Sequence, residues 1–178
     1  KSVYPDCEAV AVSVADGGEG TVEAVVKALD GEMVSAVVSD PLGRAVQAHY
    51  GIAGGMAIIE MAAASGLPLL SAKERNPWLT STHGTGEMIM DAIGRGCRDF
   101  LIGIGGSATN DAGTGMLQAM GFRFYDIHGK EIRDCCGGRL GDIRRIDDSG
   151  VKEGVRQSTF TVACDVDTTF CGREGAAY

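Results

Sequence analysis

The chain of 178 residues has few of the residues that zinc sites use, and it has fewer basic than acidic side chains. It contains three histidines, and its six cysteines form no Cys-x-x-Cys pair, which argues against a structural zinc site. The formal net charge of −8 argues against a nucleic-acid partner, because phosphates attract basic surfaces. The sequence has no signal peptide and no apolar run of membrane-spanning length. We therefore expect a cytoplasmic protein with reduced thiols and with neither a nucleic acid nor a membrane as its partner.

The common nucleotide-binding signatures are also missing, with one partial exception. Neither a Walker A sequence nor a protein-kinase signature occurs. Gly103-x-Gly105-x-x-Ala108 does satisfy the looser dinucleotide fingerprint, and Asp126 follows at about the distance of a ribose-binding acid. Against this interpretation, polar residues follow Gly106, and glycines occupy the next helix where a dinucleotide-binding helix needs an apolar face. A dinucleotide-dependent enzyme is therefore the less favoured alternative.

Glycine is abundant, and its 27 residues lie in discrete clusters that are typical of tight turns and ligand loops. The most informative cluster lies in residues 100–116, where an apolar run stops abruptly in glycines. Ser107, Thr109, Asn110 and Asp111 follow before a helix-like segment. Backbone N–H groups, hydroxyls and a carboxylate at one point are what a phosphate or a polyhydroxylated acid needs. This segment therefore predicts an anion-binding loop.

Two patterns of secondary structure meet near Gly31. Residues 9–15 predict a buried parallel strand, and residues 21–29 predict a helix whose apolar side chains share one face. Residues 32–59 instead alternate and turn at two glycine-containing points, which is typical of an antiparallel meander. Further along, the sequence predicts helices over 82–94 and 114–120, strands over 99–104 and 158–163, a hairpin around 126–129, and a loop with one helical turn over 135–154.

These patterns predict an α/β fold built from two parts. Residues 1–31 are expected to be a piece of a flavodoxin-like parallel α/β domain. Residues 32–178 are expected to form a second, mixed α/β domain that contains the antiparallel meander. The chain opens on Lys1 and ends without a tail, so we expect a fragment of a longer protein.

Six short blocks carry the functional signal of the sequence. In chain order they are Ala15-Asp-Gly-Gly-Glu-Gly-Thr21, Asp40-Pro-Leu-Gly43, Ile59-Glu-Met-Ala-Ala-Ala-Ser-Gly-Leu67, Gly84-Thr-Gly-Glu87, Gly103-Ile-Gly-Gly-Ser-Ala-Thr-Asn-Asp111 and Ala163-Cys-Asp-Val-Asp167. Together, over essentially the whole chain, they resemble the bacterial class I glycerate kinases. The resemblance implies transfer of the γ-phosphoryl group of ATP to D-glycerate, usually giving 2-phosphoglycerate. It also implies a two-domain α/β protein with a cleft between the domains.

For the predicted anion-binding loop, the resemblance implies an acidic substrate. The backbone of Gly105, Gly106 and Ser107 would cradle an anionic group together with the hydroxyls of Ser107 and Thr109. That group is either the carboxylate of glycerate or a phosphate. We expect these four residues to bind substrate.

Catalytic roles are expected for three other polar residues. Asp111 would bind the glycerate hydroxyl or act as its base, and Asn110 would orient it. Asp16 lies in a polar loop after a predicted strand and is the third candidate. On this view the substitution Asp111→Asn is expected to reduce turnover strongly while the fold stays near wild type.

Carboxylates at other strand ends would complete the site. Asp16, with Glu19 as the weaker candidate, would bind Mg²⁺ through carboxylate oxygens. Glu60 and Asp165 would contact the substrate or fix the residues around it. ATP and Mg²⁺ are therefore the expected cofactors, and D-glycerate and ATP are the expected small-molecule partners. The alternative is a non-catalytic unit that binds a hydroxy acid, and the sequence leaves a homo-oligomer open.

Overall fold

The structure, a computed structural model, describes residue 18, residues 20–164 and residues 166–177. In that part of the chain five α-helices and eight β-strands form, together with two short 3-10 helices. The helices are α1 (Thr21–Ala28), α2 (Ala62–Ser65), α3 (His83–Gly94), α4 (Thr114–Ala119) and α5 (Glu153–Arg156). The strands are β1 (Glu32–Ser39), β2 (Ala45–Ala53), β3 (Met56–Glu60), β4 (Asp99–Gly103), β5 (Arg123–Tyr125), β6 (Glu131–Ile132), β7 (Arg145–Asp147) and β8 (Thr159–Ala163). The 3-10 helices are Leu67–Leu69 and Gly137–Asp142.

The larger sheet has the strand order β1-β2-β3-β4-β8. Strands β1, β2 and β3 form an antiparallel meander, whereas β4 pairs in parallel with β3 and with β8. A separate antiparallel sheet has the order β6-β5-β7. The predicted mixed α/β fold with an antiparallel meander is therefore confirmed, while the predicted strand over residues 9–15 lies outside the described residues. No helix in the described part of the chain is long and apolar enough to cross a bilayer.

The first turn of the meander follows from its sequence. Asp40 accepts hydrogen bonds from the backbone of Leu42 at 2.8 Å and of Arg44 at 2.9 Å through Oδ1. The N–H of Gly43 donates to the carbonyl of Asp40 at 3.0 Å, and Gly43 has a φ of 82°, which glycine adopts without strain. The side chain of Asp40 thus fixes the hairpin that places β1 beside β2.

Helix α1 packs against the sheet through the apolar face that the sequence predicts. Val22 and Val26 are buried, and an added Cβ at Gly51 would lie 2.1 Å from Cγ2 of Val26. The helix ends before Gly31, whose N–H donates to the carbonyl of Val26 at 2.8 Å. The absence of a side chain at Gly51 therefore lets the helix lie directly on β2.

Helix α3 covers the other face of the same sheet and contributes to the apolar core on that side. Its residues Met88, Ile89 and Ala92 are fully buried against the strands. At its first turn, Gly84 and Gly86 bring the backbone against β1 and α4, since an added Cβ would lie within 2.4 Å of a carbonyl oxygen at either position. Glycine is a poor helix former, so its presence at two helical positions reflects this close packing.

The segment 135–154 differs from its prediction as a loop with one helical turn. It contains the second 3-10 helix, the strand β7, and the first residues of α5. Strand β7 is too short for alternation to show, and its one apolar residue, Ile146, is 60% exposed. Arg145 instead stacks over the ring of Tyr125 at 3.8 Å from the ring centroid. A three-residue strand held by pairing and a cation–π contact leaves no apolar pattern to detect.

A polar network joins the meander to α3 at the margin of the core. The hydroxyl of Tyr50, fully buried on β2, donates to Oδ2 of Asp91 at 2.6 Å. Arg95 donates to the same oxygen at 2.8 Å. Burial by itself raises the pKa of Asp91, but the hydrogen bonds from Arg95 and Tyr50 outweigh it and hold the pKa below its usual value. Burial and the hydrogen bond to Asp91 raise the pKa of Tyr50.

We expect Tyr50→Phe to lower the free energy of unfolding at pH 7 by about 2 kcal/mol, because it removes a hydrogen bond to a charged acceptor. Because the pKa of Asp91 is lower in the folded protein than in the unfolded chain, its charge stabilises the fold at pH values above the unfolded pKa. That stabilisation is lost as the pH falls through the pKa of the folded protein. The difference in the free energy of unfolding between Tyr50→Phe and wild type should therefore become smaller as the pH falls into the acid range. Thermal unfolding at pH 7 and across the acid range tests this, and a difference that stays constant with pH would contradict it.

Candidate functional site

The candidate site lies at one edge of the larger sheet, where three parallel strands end. Strands β3, β4 and β8 end at Glu60, Gly103 and Ala163. Gly103 lies beside Glu60 on one side and beside Ala163 on the other. Ligands of α/β sheets bind outside the carboxyl ends of the strands. The connection from Gly103 to α4 leaves the sheet at this edge, and it is the segment predicted to bind an anion.

Three consecutive backbone amides in this loop remain open. Within the described part of the chain, the N–H groups of Gly105, Gly106 and Ser107 donate no hydrogen bond. Gly106 is exposed and has a φ of 70°, while Gly105 and Ser107 are half-buried. Adjacent amides in a turn with a left-handed residue form a concave donor site that suits an anion. This part of the loop therefore offers the donors that the sequence predicts.

Two hydroxyls lie next to these amides. Oγ of Ser107 lies 3.0 Å from Oγ1 of Thr109 and accepts a hydrogen bond from the N–H of Thr109 at 3.1 Å. Both residues are half-buried, so the hydroxyls are fixed in the loop without being sealed from solvent. The structure thus holds the four predicted binding residues in one loop, in which Gly105, Gly106 and Ser107 offer backbone amides and Ser107 and Thr109 offer hydroxyls.

Glu60 lies at the same edge of the sheet and faces the start of α1. Its Oε1 accepts a hydrogen bond from the N–H of Val22 at 2.8 Å, which satisfies one of the free amides of the first helical turn. A negative charge at a helix N-terminus is also favoured by the helix dipole. Glu60 contributes to a cavity of about 360 Å³, together with Gly20, Val22, Glu23, His49 and Ala63.

Asp111 lies behind the loop and is buried, with an exposed fraction of 1%. Its Oδ2 accepts from the N–H groups of Thr82 at 2.9 Å and Gly115 at 3.1 Å, and its Oδ1 accepts from the N–H of Gly113 at 3.0 Å. The hydroxyl of Thr82 donates to the same carboxylate at 2.9 Å. Four donors thus occupy the two oxygens. This arrangement favours a positioning role for Asp111 over contact with a substrate.

A buried thiol lies close to that carboxylate. Burial, and then the charges of Asp111 and Asp134, raise the pKa of Cys135 to about 11. Cys135 is therefore a neutral thiol near pH 7. It packs with Phe124 and Ile132 as an apolar side chain and is not a nucleophile of the site.

The remaining predicted residues are less fully defined. The side-chain amide of Asn110 donates to the carbonyl of Ala176 at 2.7 Å, so it links the loop to the segment 166–177. Asp16, Glu19 and Asp165 lie outside the described residues. In the described part, no group of three or more His, Cys, Asp or Glu side chains could hold a metal ion. The Mg²⁺ site at Asp16 and Glu19 therefore stays a prediction.

Sequence reasoning missed the buried threonines that hold this loop. Thr80 and Thr82 lie just before α3 and are 0% and 5% exposed. Their hydroxyls donate to the carbonyl of Ala108 at 2.8 Å and to Asp111. A run of hydroxyl residues before a helix is typical of an exposed cap, so no local pattern predicts that these threonines are buried.

The loop geometry does not match a dinucleotide site. In such a site the helix begins within the glycine motif, and its first amides hold the pyrophosphate. Here an irregular loop separates Ala108 from α4, which begins only at Thr114. The glycines therefore belong to an extended loop and not to a strand–helix junction.

The sequence matches the Glycerate kinase family over residues 1–178. It is 48% identical over 178 residues to "Glycerate kinase" of Bacillus subtilis, covering 99% of this chain and 46% of that protein. It is 47% identical over 179 residues to "Glycerate 2-kinase" of Escherichia coli, covering 99% of this chain and 47% of that protein. The chain thus spans about half the length of these curated relatives.

The fold agrees with a solved structure of the same group. The crystal structure of the "putative glycerate kinase 2" from Salmonella typhimurium LT2 superposes with a TM-score of 0.87 at 45% sequence identity. The match covers 98% of this chain and 47% of that one. Together with the sequence match along the whole chain, this likeness shows that the chain belongs to the glycerate kinase family.

Proposed function

We propose that this chain forms one wall of the active site of a glycerate kinase that phosphorylates D-glycerate with ATP. The observation that carries the proposal is the set of open amides at Gly105, Gly106 and Ser107, in the loop that follows the carboxyl end of β4, where Gly103 lies beside Glu60. These donors suit a carboxylate or a phosphoryl group. Family membership supports the choice of ATP and glycerate among the anions that the loop could take.

The reaction needs positioning and charge neutralisation more than covalent chemistry from the protein. A hydroxyl oxygen of glycerate bonds to the γ-phosphorus as the bond from that phosphorus to the leaving oxygen of ADP breaks. The hydroxyl proton is released to a base or to water. We propose that the 2-hydroxyl reacts and that 2-phosphoglycerate is the product, in line with the name "Glycerate 2-kinase" of the Escherichia coli relative.

We propose the following roles within this chain. The amides and the hydroxyls of Ser107 and Thr109 hold the carboxylate of glycerate or a phosphate. Glu60 fixes the first turn of α1 against the site, and Asn110 orients groups at the far end of the loop. Asp111 holds the loop in place from behind.

Three residues that are not described belong to the same proposal. Asp16 and Glu19 would hold Mg²⁺, and Asp165 would contact the substrate. Bound Mg²⁺ would supply neutralisation of phosphate charge. The division into residues 1–31 and residues 32–178, as parts of two domains, is likewise a proposal, as is a cytoplasmic location, which the free cysteines of the described segments support.

Ser107→Ala tests the proposal in the full gene product that contains this chain. We expect the KM for D-glycerate to rise about tenfold, because a hydroxyl that donates to a charged group is lost. Phosphoglycerate formation from ATP and D-glycerate, followed by ³¹P NMR, measures the change and identifies the phosphorylated hydroxyl. Ser149→Ala is the matched control, since Ser149 is exposed and lies between β7 and α5, away from the loop.

Two outcomes would count against the proposal. If the wild-type gene product forms no phosphoglycerate from D-glycerate and ATP, the assigned activity is wrong. If Ser107→Ala and Ser149→Ala have equal KM values for D-glycerate, the hydroxyl of Ser107 does not bind the acid and its assigned role is wrong. A 3-phosphoglycerate product would overturn only the choice of hydroxyl.

A further inference from the structure

The backbone of Ala108 in the loop is held on both sides by buried groups, through its N–H and through its carbonyl. The N–H of Ala108 donates to the carbonyl of Ser65 at 2.9 Å. The carbonyl of Ala108 accepts from the hydroxyl of Thr80 at 2.8 Å. Ser65 and Thr80 are both 0% exposed, and Ser65 is itself fixed by a hydroxyl contact of 2.8 Å to Thr85 on α3. Ala108 therefore cannot rotate without breaking bonds that water does not replace.

A second anchor lies three residues further along the loop. The hydroxyl of Thr82 donates to Asp111 and accepts from the N–H of Met116 at 2.9 Å, so it joins the loop to the start of α4. Between the two threonines, the N–H of Ser81 donates to the carbonyl of Pro41 in the turn between β1 and β2. The segment Thr80–Thr82 is therefore fixed to the meander on one side and to the loop on the other.

The open amides directly precede this anchored stretch. Ser107 is adjacent to Ala108, and the carbonyl of Gly106 is fixed by the N–H of Leu67 at 3.0 Å. The amide of Ser107 is thus oriented directly, because it shares a peptide unit with the carbonyl of Gly106, and the amides of Gly105 and Gly106 lie immediately before this fixed point. None of the three amides donates a hydrogen bond of its own in the described part of the chain. Donors that are held in place before the ligand arrives bind it without loss of further chain entropy.

We propose that Thr80 and Thr82 are positioning residues that set the direction of the open amides toward the bound anion. This inference rests on the proposed function of the loop as the anion site. Neither threonine touches the substrate, because both are buried behind the loop. A valine has nearly the shape of threonine and would fill the same interior space. The hydroxyl of Thr80 therefore serves to orient the Ala108 peptide and is not needed for packing.

The test compares two variants that each lose one buried hydroxyl. In the full gene product, Thr80→Val removes the bond to Ala108, while Tyr50→Phe removes the bond to Asp91, within the core and away from the loop. We expect Thr80→Val to lower kcat/KM for D-glycerate between about tenfold and a hundredfold, as a displaced loop would. Thr80→Ser keeps the hydroxyl and should restore kcat/KM to within about threefold. Tyr50→Phe should leave kcat and KM unchanged.

A second measurement does not depend on activity. The ¹H–¹⁵N chemical shifts of the amides of Gly105, Gly106 and Ser107, and the change in those shifts on adding D-glycerate, report the orientation of the loop directly. We expect Thr80→Val to move these signals and Tyr50→Phe to leave them in place. If Thr80→Val does not fold, Thr80→Cys replaces it, since a thiol is a weak donor of similar size.

The outcomes separate this inference from the function it rests on. If the wild-type protein does not phosphorylate D-glycerate, the proposed function fails, and the amide signals alone decide whether the threonines position the loop. If Thr80→Val and Tyr50→Phe give the same kinetics and the same loop signals, the threonines are structural only and the inference is overturned. Movement of the loop signals in Thr80→Val alone supports it.

Discussion

Replacing Asp111 by asparagine will destabilise the fold by about 3 kcal/mol in addition to reducing activity. The carboxylate accepts hydrogen bonds from the backbone of Thr82, Gly113 and Gly115 and from the hydroxyl of Thr82. In either orientation, the amide of asparagine would turn an NH₂ group toward one of these N–H donors. A buried donor without an acceptor costs more than the bond it formerly made. The sequence alone predicts a fold near wild type, and these contacts change that expectation.

Thermal and urea unfolding of the gene product measure this effect. Asp148→Asn is the control, because Asp148 is exposed and pairs with Arg156 on the surface. Such a pair contributes at most about 1 kcal/mol, so the control should stay close to wild type. An Asp111→Asn variant with wild-type stability and greatly reduced turnover would instead return Asp111 to the reacting groups. In that case the buried network would be of little energetic importance.

Local patterns were sufficient to predict most elements of the fold. The period of the apolar residues predicted α1 and α3, and the turn residues at Asp40–Gly43 predicted the hairpin between β1 and β2. Both signals act over a few neighbouring residues, and a sequence displays them directly. Strand β7 was missed because it consists of three largely exposed residues and is held mainly by pairing with β5.

The candidate site could be predicted only as far as its loop. Glycines after an apolar strand indicated open backbone donors, and the structure shows three of them at residues 105–107. The role of each side chain depended on distant contacts. Asp111 looks like a free carboxylate in the sequence, yet its partners at Thr82 are 29 residues away and become visible only in the fold. A buried aspartate that accepts hydrogen bonds and an exposed aspartate are the same residue type, so the sequence cannot distinguish them.

The glycines of the block Gly84-Thr-Gly-Glu87 illustrate the same limit. Glycines at the second and fourth positions of α3 lower the intrinsic stability of the helix, and the sequence gives no reason for them. In the fold, Gly84 meets the end of β1, and Glu87 accepts from the N–H of Ser39 at 2.6 Å in the same place. The block therefore joins the first turn of α3 to the meander. The segment Thr80–Thr82, which holds the anion-binding loop, directly precedes this junction.

We expect Gly84→Ala to be the most damaging substitution in α3. An added Cβ would lie 1.8 Å from the carbonyl oxygen of Ser39 and 2.9 Å from its carbonyl carbon, and 3.1 Å from Cβ of Ala64. The first two are backbone atoms of a paired strand, so the helix itself must move. Overpacking of this kind costs about 3 kcal/mol, which is a large share of the stability of a domain. The displacement would also pull on Thr82 and hence on the loop.

Gly94→Ala in the same helix provides the opposite expectation. Gly94 is exposed at the last position of α3, and an added Cβ would have nothing within 4 Å. Because alanine is the better helix former, this variant should gain about 0.5 kcal/mol. Comparing the melting temperatures of the two variants separates the effect of the close contact at Gly84 from the general effect of replacing a glycine by alanine in the helix. Equal melting temperatures for Gly84→Ala and Gly94→Ala would show that the contact between α3 and β1 has room for a methyl group at residue 84. In that case the expected effect of this junction on the anion-binding loop would also be wrong.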